Sequence, residues 1–237
     1  MRLLLLGPLA LLDAQGNPVA VSGTKRRATL AALALRGTVS TDRLVAELWG
    51  NTPPANASNA LQAHITRLRR ALTAAGGEPD RIVTGPSHYT LVLRPGERDT
   101  VDFDSAVDSA RRAADPIPPL RSALALWRGP ALSGCVLGDI CAAEADALDE
   151  RRLTALELLY DASLRAGRHR EVVGELARST AAHPLRERFY EQLIVALRRC
   201  GRRTDAVEVY DRARRRLRAE LDVEPGPGLR RVIASMP

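Results

Sequence analysis

The chain has 237 residues, of which 45% are hydrophobic, so it is long enough for two modest domains that each bury a core. Residues 1–96 hold 11 Lys and Arg against 5 Asp and Glu, a net charge of +6, whereas residues 97–237 hold 24 against 23, a net of +1, which favours a polyanionic partner for the first part. Three irregularly spaced cysteines exclude a disulfide framework and a Cys-x-x-Cys metal site, and predict a cytoplasmic protein with reduced thiols.

The apolar N-terminus predicts short strands at residues 2–6, 9–12 and 18–21, separated by Gly-Pro and Gln-Gly-Asn turns. Gly7-Pro8 interrupts the first run and no small-x-small cleavage site follows closely, so strands are favoured over a secretion signal. No other stretch is long enough to span a membrane, and no membrane partner is predicted.

Two helices are predicted next. Thr24 is placed to cap a helix from Lys25 to about Leu35, which ends at Gly37. Ser40 or Thr41 is placed to cap a second helix that covers residues 42–49 and ends at Gly50.

A third helix is predicted over residues 58–72, and it has two different faces. At about 100° per residue, the residues on its apolar stripe are Leu61, Ile65, Leu68 and Leu72. The residues on or beside the opposite face are Asn59, Ala63, Thr66, Arg67, Arg69 and Arg70. Taken alone, this basic face is as consistent with a solvated surface helix as with a binding surface.

A hairpin is predicted after the third helix, with strands at residues 81–84 and 89–93 joined by residues 85–88. Strands, three helices and a hairpin are the element order of a winged helix-turn-helix domain. We assign this domain to residues 1–95.

The remainder is predicted to be helical and to follow a linker at residues 94–99. The breaks are expected at residues 115–119 and 129–138, at Gly167, at His183-Pro184 and at Gly201. Gly167 and Gly201 are 34 residues apart in similar local sequences, which is the period of a tetratricopeptide repeat. We assign a second domain to residues 101–237, built from helix pairs at about 144–180 and 184–220. A plain helical bundle is the alternative.

Several motifs resemble a known family. The element order resembles the DNA-binding domain of the OmpR/PhoB response regulators, and residues 61–72 resemble their recognition helix nearly position for position. Residues 101–103 (Val-Asp-Phe), 124–132 (with Trp127-Arg128-Gly129) and 221–226 (Leu-Asp-Val-Glu-Pro-Gly) resemble the bacterial transcriptional activation domain of the streptomycete antibiotic regulatory protein (SARP) family. The resemblance covers nearly the whole chain. It implies a mainly α fold, with an α+β winged helix followed by an all-α tetratricopeptide-like domain.

The third helix then becomes a candidate for reading the major groove of double-stranded DNA. Arg67 has the geometry to bind a guanine edge, Asn59 or Gln62 to bind adenine, and the Ala63 methyl group to pack on a thymine methyl. Candidates for phosphate contacts are His64, Thr66, Arg69 and Arg70. The resemblance aligns Arg67 with a base-reading arginine and His64 with a phosphate-contacting histidine, although a structural role beside the core remains open for His64.

Two further DNA contacts are predicted outside this helix. Lys25 and Arg26, with Arg27, start the first helix, where backbone N–H groups favour a phosphate; a solvated charge cluster is the alternative. In the wing, the candidates for backbone or minor-groove contact are Ser87, His88 and Tyr89. The wing tip lacks the arginine that many relatives carry, and Tyr89 is also a candidate core residue.

Three other features have protein-packing or protein-contact interpretations. By resemblance, the loop with Trp49, Asn51 and Thr52 contacts RNA polymerase, including its sigma subunit; a rigid connection is the alternative. Trp127 is predicted to be a packing anchor. The arginine run at residues 212–218 is predicted to be an ion-paired solvent face rather than a second nucleic-acid patch.

The predicted function is a sequence-specific transcriptional activator of a secondary-metabolite gene cluster. The family implies two protomers on promoter direct repeats, about one helical turn apart, that recruit RNA polymerase. The alternatives are an interaction adaptor whose winged helix does not read DNA, and a repressor. Because phosphate-loop, nucleophile-elbow and metal-ligand motifs are missing from the sequence, no enzyme activity and no cofactor are predicted.

Overall fold

The computed structural model describes residues 1–135 and 138–235, which are mainly helical with small sheets near the N-terminus. The chain divides into two compact units. The first comprises Met1–Ser109 and Ser122–Leu153, and the second comprises Ala110–Arg121 and the chain from Thr154 onward.

The chain begins with a three-stranded antiparallel sheet of β1 (Arg2–Leu4), β2 (Ala10–Leu12) and β3 (Pro18–Val19), in the order β1-β2-β3. Leu3 pairs with Leu11, and both side chains are buried. The three predicted strands are confirmed, although each is shorter than predicted.

The winged helix follows, and its elements are α1 (Thr24–Arg36), β4 (Thr38–Ser40), α2 (Thr41–Trp49), α3 (Ala57–Ala74), β5 (Ile82–Thr84) and β6 (His88–Leu91). The second sheet has the order β4-β6-β5, so the hairpin β5–β6 is confirmed and β4 is an addition to it. The predicted Ser40 cap is also confirmed, since Ser40 Oγ accepts a hydrogen bond from the Arg43 N–H at 3.3 Å. The Thr24 cap is wrong: Thr24 is the first residue of α1, and the capping position is Gly23, whose φ of 91° favours glycine.

The helices after the wing are α4 (Asp99–Arg112), α5 (Ile117–Leu124), α6 (Asp139–Arg165), α7 (His169–Ala182), α8 (Glu187–Arg199), α9 (Arg203–Leu221) and α10 (Pro227–Ala234). The predicted breaks at Gly167, His183-Pro184 and Gly201 fall between these helices, and the one at residues 129–138, of which 136 and 137 lie outside the described residues, falls between α5 and α6. The break at residues 115–119 is wrong in part, because α5 begins at Ile117 and its first turn accommodates Pro118 and Pro119. Gly167 and Gly201, with φ of 76° and 78°, occupy equivalent turns between α6 and α7 and between α8 and α9. These backbone angles explain why the repeat carries glycine at this position.

Asp99, which we predicted as the last linker residue, instead begins α4. Its buried carboxylate accepts hydrogen bonds from the backbone N–H groups of Leu5 at 2.8 Å and Leu6 at 3.1 Å. Burial raises the pKa of Asp99, and these hydrogen bonds act in the opposite direction. The start of α4 is therefore hydrogen-bonded to the backbone that directly follows β1, within the first unit.

Glu47 of α2 makes the second such connection in the first unit. Its side chain, in a residue only 3% exposed, accepts hydrogen bonds from the backbone N–H groups of Gly138 (3.0 Å), Ile140 (2.7 Å) and Cys141 (3.0 Å). These groups lie at the N-terminus of α6, where N–H groups lack intrahelical partners and a carboxylate is favoured. Gly138 is required here because a Cβ atom would lie 2.4 Å from the Glu47 carbonyl oxygen. This carboxylate therefore joins α2, one of the helices against which α3 packs, to the start of α6.

The three cysteines are free thiols, of which Cys141 is buried and Cys135 and Cys200 are partly exposed. In the described part of the chain, no helix combines the length and the apolar composition needed to cross a membrane.

Candidate nucleic-acid interface

Helix α3 separates its apolar and polar residues as predicted. The side chains on its inner face, Ala57, Leu61, Ile65, Leu68 and Leu72, are buried. The predicted contact residues that are exposed are Asn59, Gln62, Ala63, Thr66, Arg67 and Arg70, whereas His64 and Arg69 are half-buried. The helix contains three arginines and no carboxylate, so its outer face is strongly positive.

Arg67 and Arg70 are the two exposed arginines of this face. Within residues 1–135 and 138–235, neither guanidinium has a hydrogen-bond partner or an ion pair. The Thr66 hydroxyl instead donates its proton to the Gln62 carbonyl at 2.9 Å. The face thus presents free donors of the kind that bind base edges and phosphates.

Arg69 differs from these neighbours because its side chain is already engaged. Its Nη2 donates to the Ile82 carbonyl at 2.7 Å and to Thr84 Oγ1 at 2.7 Å, and its Nε donates to the Ile82 carbonyl at 3.1 Å. These bonds tie α3 to strand β5 of the wing. Sequence reasoning missed this role, since nothing in the periodicity of α3 distinguishes Arg69 from Arg70.

Lys25, Trp49 and His64 form a cluster that joins α1, α2 and α3. The Lys25 Nζ lies 4.6 Å from the centroid of the Trp49 ring, and the His64 ring stacks on Trp49 with centroids 6.2 Å apart. The Nδ1 of His64 is buried without a hydrogen-bond partner among the described residues. Burial lowers the pKa of His64, and the cations Arg26, Arg67 and Lys25 lower it further.

The start of α1 supplies further positive charge. Lys25 and Arg26 are half-buried, and the first turn of α1 contains no acidic residue and has no side-chain cap. Arg27 is different, because its Nε donates to the Gly134 carbonyl at 2.9 Å. Of the three basic residues at the start of α1, Lys25 and Arg26 are therefore the two that lie near His64 of α3.

In the wing, the three predicted contact residues have different environments. Ser87 is exposed, His88 is half-buried, and Tyr89 is only 7% exposed and belongs to the core. The His88 imidazole packs so closely on Gly85 that a Cβ atom there would lie 2.2 Å from its Cε1. The Ser87 carbonyl accepts from the Thr41 N–H at 2.8 Å, which fixes the wing tip to the start of α2.

In the loop after α2, Asn51 and Thr52 are exposed. Trp49 is half-buried, and its ring is occupied by Lys25 and His64. Asn51 and Thr52, rather than the Trp49 ring, are thus the accessible side chains of the loop that was predicted to contact polymerase.

Of two predictions about residues outside the interface, the one for Trp127 is confirmed and the one for the arginine run at residues 212–218 is confirmed in part. Trp127 is buried and packs edge-on against Phe103, with ring centroids 5.6 Å apart. In this run Arg214 pairs with Glu224 at 3.0 Å, Arg216 pairs with Glu220 at 2.7 Å and Arg218 pairs with Glu224. Arg212 and Arg215 have no ion pair among the described residues. Over the described ranges 1–135 and 138–235, no group of three or more His, Cys, Asp or Glu side chains has the arrangement of a metal site.

Comparison with protein families gives two matches. Residues 17–88 match the model described as transcriptional regulatory protein, C terminal, and residues 99–236 match the model described as bacterial transcriptional activator domain. Together these matches cover the winged helix and the helical region that follows it.

Individual relatives resemble the chain over nearly its whole length. The transcriptional regulator RedD of Streptomyces coelicolor is 41% identical over 96% of this chain and 67% of its own length. The regulatory protein DnrI of Streptomyces peucetius is 35% identical over 97% of this chain and 89% of its own length. A solved structure of Mycobacterium tuberculosis EmbR, in complex with a low-affinity phosphopeptide, superposes with a TM-score of 0.90 at 31% identity, over 98% of this chain and 64% of that chain.

Proposed function

This chain belongs to the streptomycete antibiotic regulatory protein (SARP) family of transcriptional activators, and we therefore propose that it binds promoter DNA sequence-specifically through α3 and recruits RNA polymerase to a secondary-metabolite gene cluster. Two protomers bind direct repeats about one helical turn apart, so that both α3 helices enter the major groove on the same face of the duplex.

The observation that carries this proposal is that some side chains of α3 have partners within the protein, whereas others, on its exposed face, have none among the described residues. The side chains of the inner face are buried in the core, and Arg69 donates hydrogen bonds to the wing. Arg67 and Arg70 remain without partners within the described ranges, on a helix that carries no compensating carboxylate. A free guanidinium on an exposed helix face has the donor geometry that a guanine edge or a phosphate requires.

The roles of the contact residues follow from their exposure. Arg67 reads guanine, Asn59 or Gln62 reads adenine, and Ala63 packs on a thymine methyl group. The phosphate contacts come from His64, Arg70, Lys25 and Arg26, with Ser87 and His88 at the wing tip. Thr66 contributes a further contact when its hydroxyl turns from the Gln62 carbonyl to the phosphate. Arg69 and Tyr89 act indirectly, because they hold the wing in position beside α3.

The polymerase contact is assigned to the exposed part of the loop after α2, which contains Asn51 and Thr52. The cluster of Lys25, Trp49 and His64 anchors this loop to α1 and α3. DNA binding by α3 therefore presents the loop in a fixed position relative to the duplex. Asn51→Ala/Thr52→Ala is expected to reduce transcription in vitro while leaving the affinity for DNA unchanged.

Titration of fluorescent duplexes across a range of salt concentrations tests the DNA assignment. Arg67→Ala is expected to weaken binding to the specific duplex by about 1–3 kcal/mol and to relax the sequence preference. Arg70→Ala is expected to weaken binding to specific and random duplexes alike and to reduce the slope of log K against log salt by about one. Equal losses on specific and random duplexes for Arg67→Ala would contradict its assignment as a base-reading residue.

A further inference from the structure

A cavity of about 580 Å³ lies within the second compact unit, between the turn that joins α4 to α5 and the C-terminal end of α6. Its apolar floor is formed by the buried side chains of Ala110, Ile117, Leu120 and Ala162. Cavities of this volume that have apolar walls and a few polar groups are typical binding sites for small organic molecules.

The rim of the cavity is cationic. Arg165 and Arg168 line it, and both are exposed. Neither side chain has an ion pair or a hydrogen-bond partner in the part of the chain that the structure describes. The carboxylate on the rim, that of Asp115, already accepts a hydrogen bond from the Ile117 N–H at 3.1 Å, at the start of α5.

We propose that this cavity binds a small amphipathic anion, with an apolar body on the floor and a carboxylate, sulfonate or phosphate group at Arg165 and Arg168. A guanidinium presents donors in a planar fork that matches an oxyanion, so two unpaired arginines at one rim favour an anionic head group. Removal of the apolar body from water supplies the remaining affinity. The charge of the rim thus selects anions over neutral compounds of the same shape.

This site is separate from the proposed DNA-binding function. Its lining residues belong to the C-terminal end of α4, the turn after it, the first part of α5, and the C-terminal part of α6 with the turn that follows, and none of them belongs to α3 or the wing. Ligand binding is therefore measurable in the absence of DNA, and a failure of either proposal leaves the other intact.

The probe is 8-anilinonaphthalene-1-sulfonate, whose fluorescence rises when it enters an apolar site. Its neutral counterpart, N-phenyl-1-naphthylamine, has the same ring system without the sulfonate. We expect the full chain to bind one sulfonate probe per molecule. Arg165→Ala/Arg168→Ala is expected to weaken binding of the sulfonate probe by about tenfold and binding of the neutral probe by less than about twofold.

Two further variants make this test specific. Ala114→Leu places a bulkier side chain on the rim at an exposed position, where it is compatible with folding, and should weaken binding of both probes. Arg170→Ala/Arg212→Ala removes the same charge from exposed positions outside the cavity lining and should leave both affinities unchanged. The proposal is overturned if the sulfonate probe binds the rim variant as tightly as the unmodified chain. It is equally overturned if the charge-matched control loses as much affinity as the rim variant.

Discussion

Helices α3 and α9 are both rich in arginine, but only the arginines of α9 have carboxylates beside them in the sequence. From Arg203 to Glu224 the chain has six arginines and six carboxylates, and Arg214, Arg216 and Arg218 are each ion-paired. Helix α3 has three arginines and no carboxylate, and Arg67 and Arg70 lack partners within the described residues. Arginine content alone therefore does not identify a nucleic-acid surface. Arg203, Arg212 and Arg215 also lack an ion pair among the described residues, so the two helices differ in the carboxylates that surround their arginines, six from Arg203 to Glu224 and none in α3.

The largest expected effect comes from removing the same charge from each helix. Arg67→Ala/Arg70→Ala should weaken binding to the specific duplex by at least about tenfold, because it removes a base contact and a phosphate contact. Arg214→Ala/Arg216→Ala removes the same charge from α9 and should change that affinity by less than about twofold. Fluorescence anisotropy at fixed salt measures both variants, and comparable losses for the two would remove the distinction between the helices.

A smaller effect is expected from Arg69, which lies on α3 but is engaged, as Arg214 and Arg216 of α9 are. Arg69→Ala should lower the free energy of unfolding by about 1 kcal/mol, because it leaves the Ile82 carbonyl and the Thr84 hydroxyl without their donor. Arg70→Ala is the matched control and should leave stability unchanged. Chemical denaturation measures both, and a stable Arg69→Ala variant would show that the wing does not depend on this contact.

Helix α3 should also give DNA binding a pH dependence through His64, whereas α9 contains no histidine. Burial and the nearby cations lower the pKa of His64, so the imidazole is neutral in the free protein near pH 7. A phosphate at this site would stabilise the imidazolium and raise the pKa in the complex, so binding takes up a proton and affinity should increase as the pH falls through the range just above the free-protein pKa.

The control for this prediction is His64→Gln, which should reduce the pH dependence between about pH 5 and 8. The stability of the free protein should change in the opposite direction. Because the lowered pKa means that the unfolded chain binds protons more readily, the free energy of unfolding should decrease as the pH falls below about 6.5. An affinity that falls at lower pH would exclude a phosphate contact by His64.

The smallest effect is expected when arginines of α9 are released from their partner. Arg214 and Arg218 both pair with Glu224, and the hydrogen bond from Arg214 lowers the pKa of Glu224. Glu224→Gln should raise affinity for a random duplex by about twofold at low salt, and the difference should vanish at physiological ionic strength. A larger gain that persists in salt would mean that α9 is a latent nucleic-acid surface.

Much of the fold could be predicted from the sequence because its signals are local. The period of the apolar residues in α3, the hairpin turn at residues 85–88 and the 34-residue glycine spacing each act within a short stretch of chain. Strand β4 was missed because three residues, Thr38–Ser40, are too few to show an alternating pattern, and it forms only by pairing with β6.

The remaining discrepancies depend on contacts between distant parts of the chain. Asp99 was assigned to a linker, yet it binds Leu5 and Leu6, more than 90 residues away. Glu47 looked like an ordinary charged position of α2, yet it caps the start of α6. For the same reason the sequence named the residues of the candidate DNA face but did not show that Arg69 is engaged with the wing. Such partners are separated in sequence and leave no periodic signal.

Selection of bound duplexes from a random pool tests the central claim most directly. We predict that the unmodified chain enriches direct repeats spaced by about one helical turn, each containing a guanine whose enrichment is lost in Arg67→Ala and retained in Arg216→Ala. Recovery of the same repeats by the unmodified chain and Arg67→Ala, or enrichment of no sequence at all by the unmodified chain, would contradict the account of α3 as the helix that reads DNA.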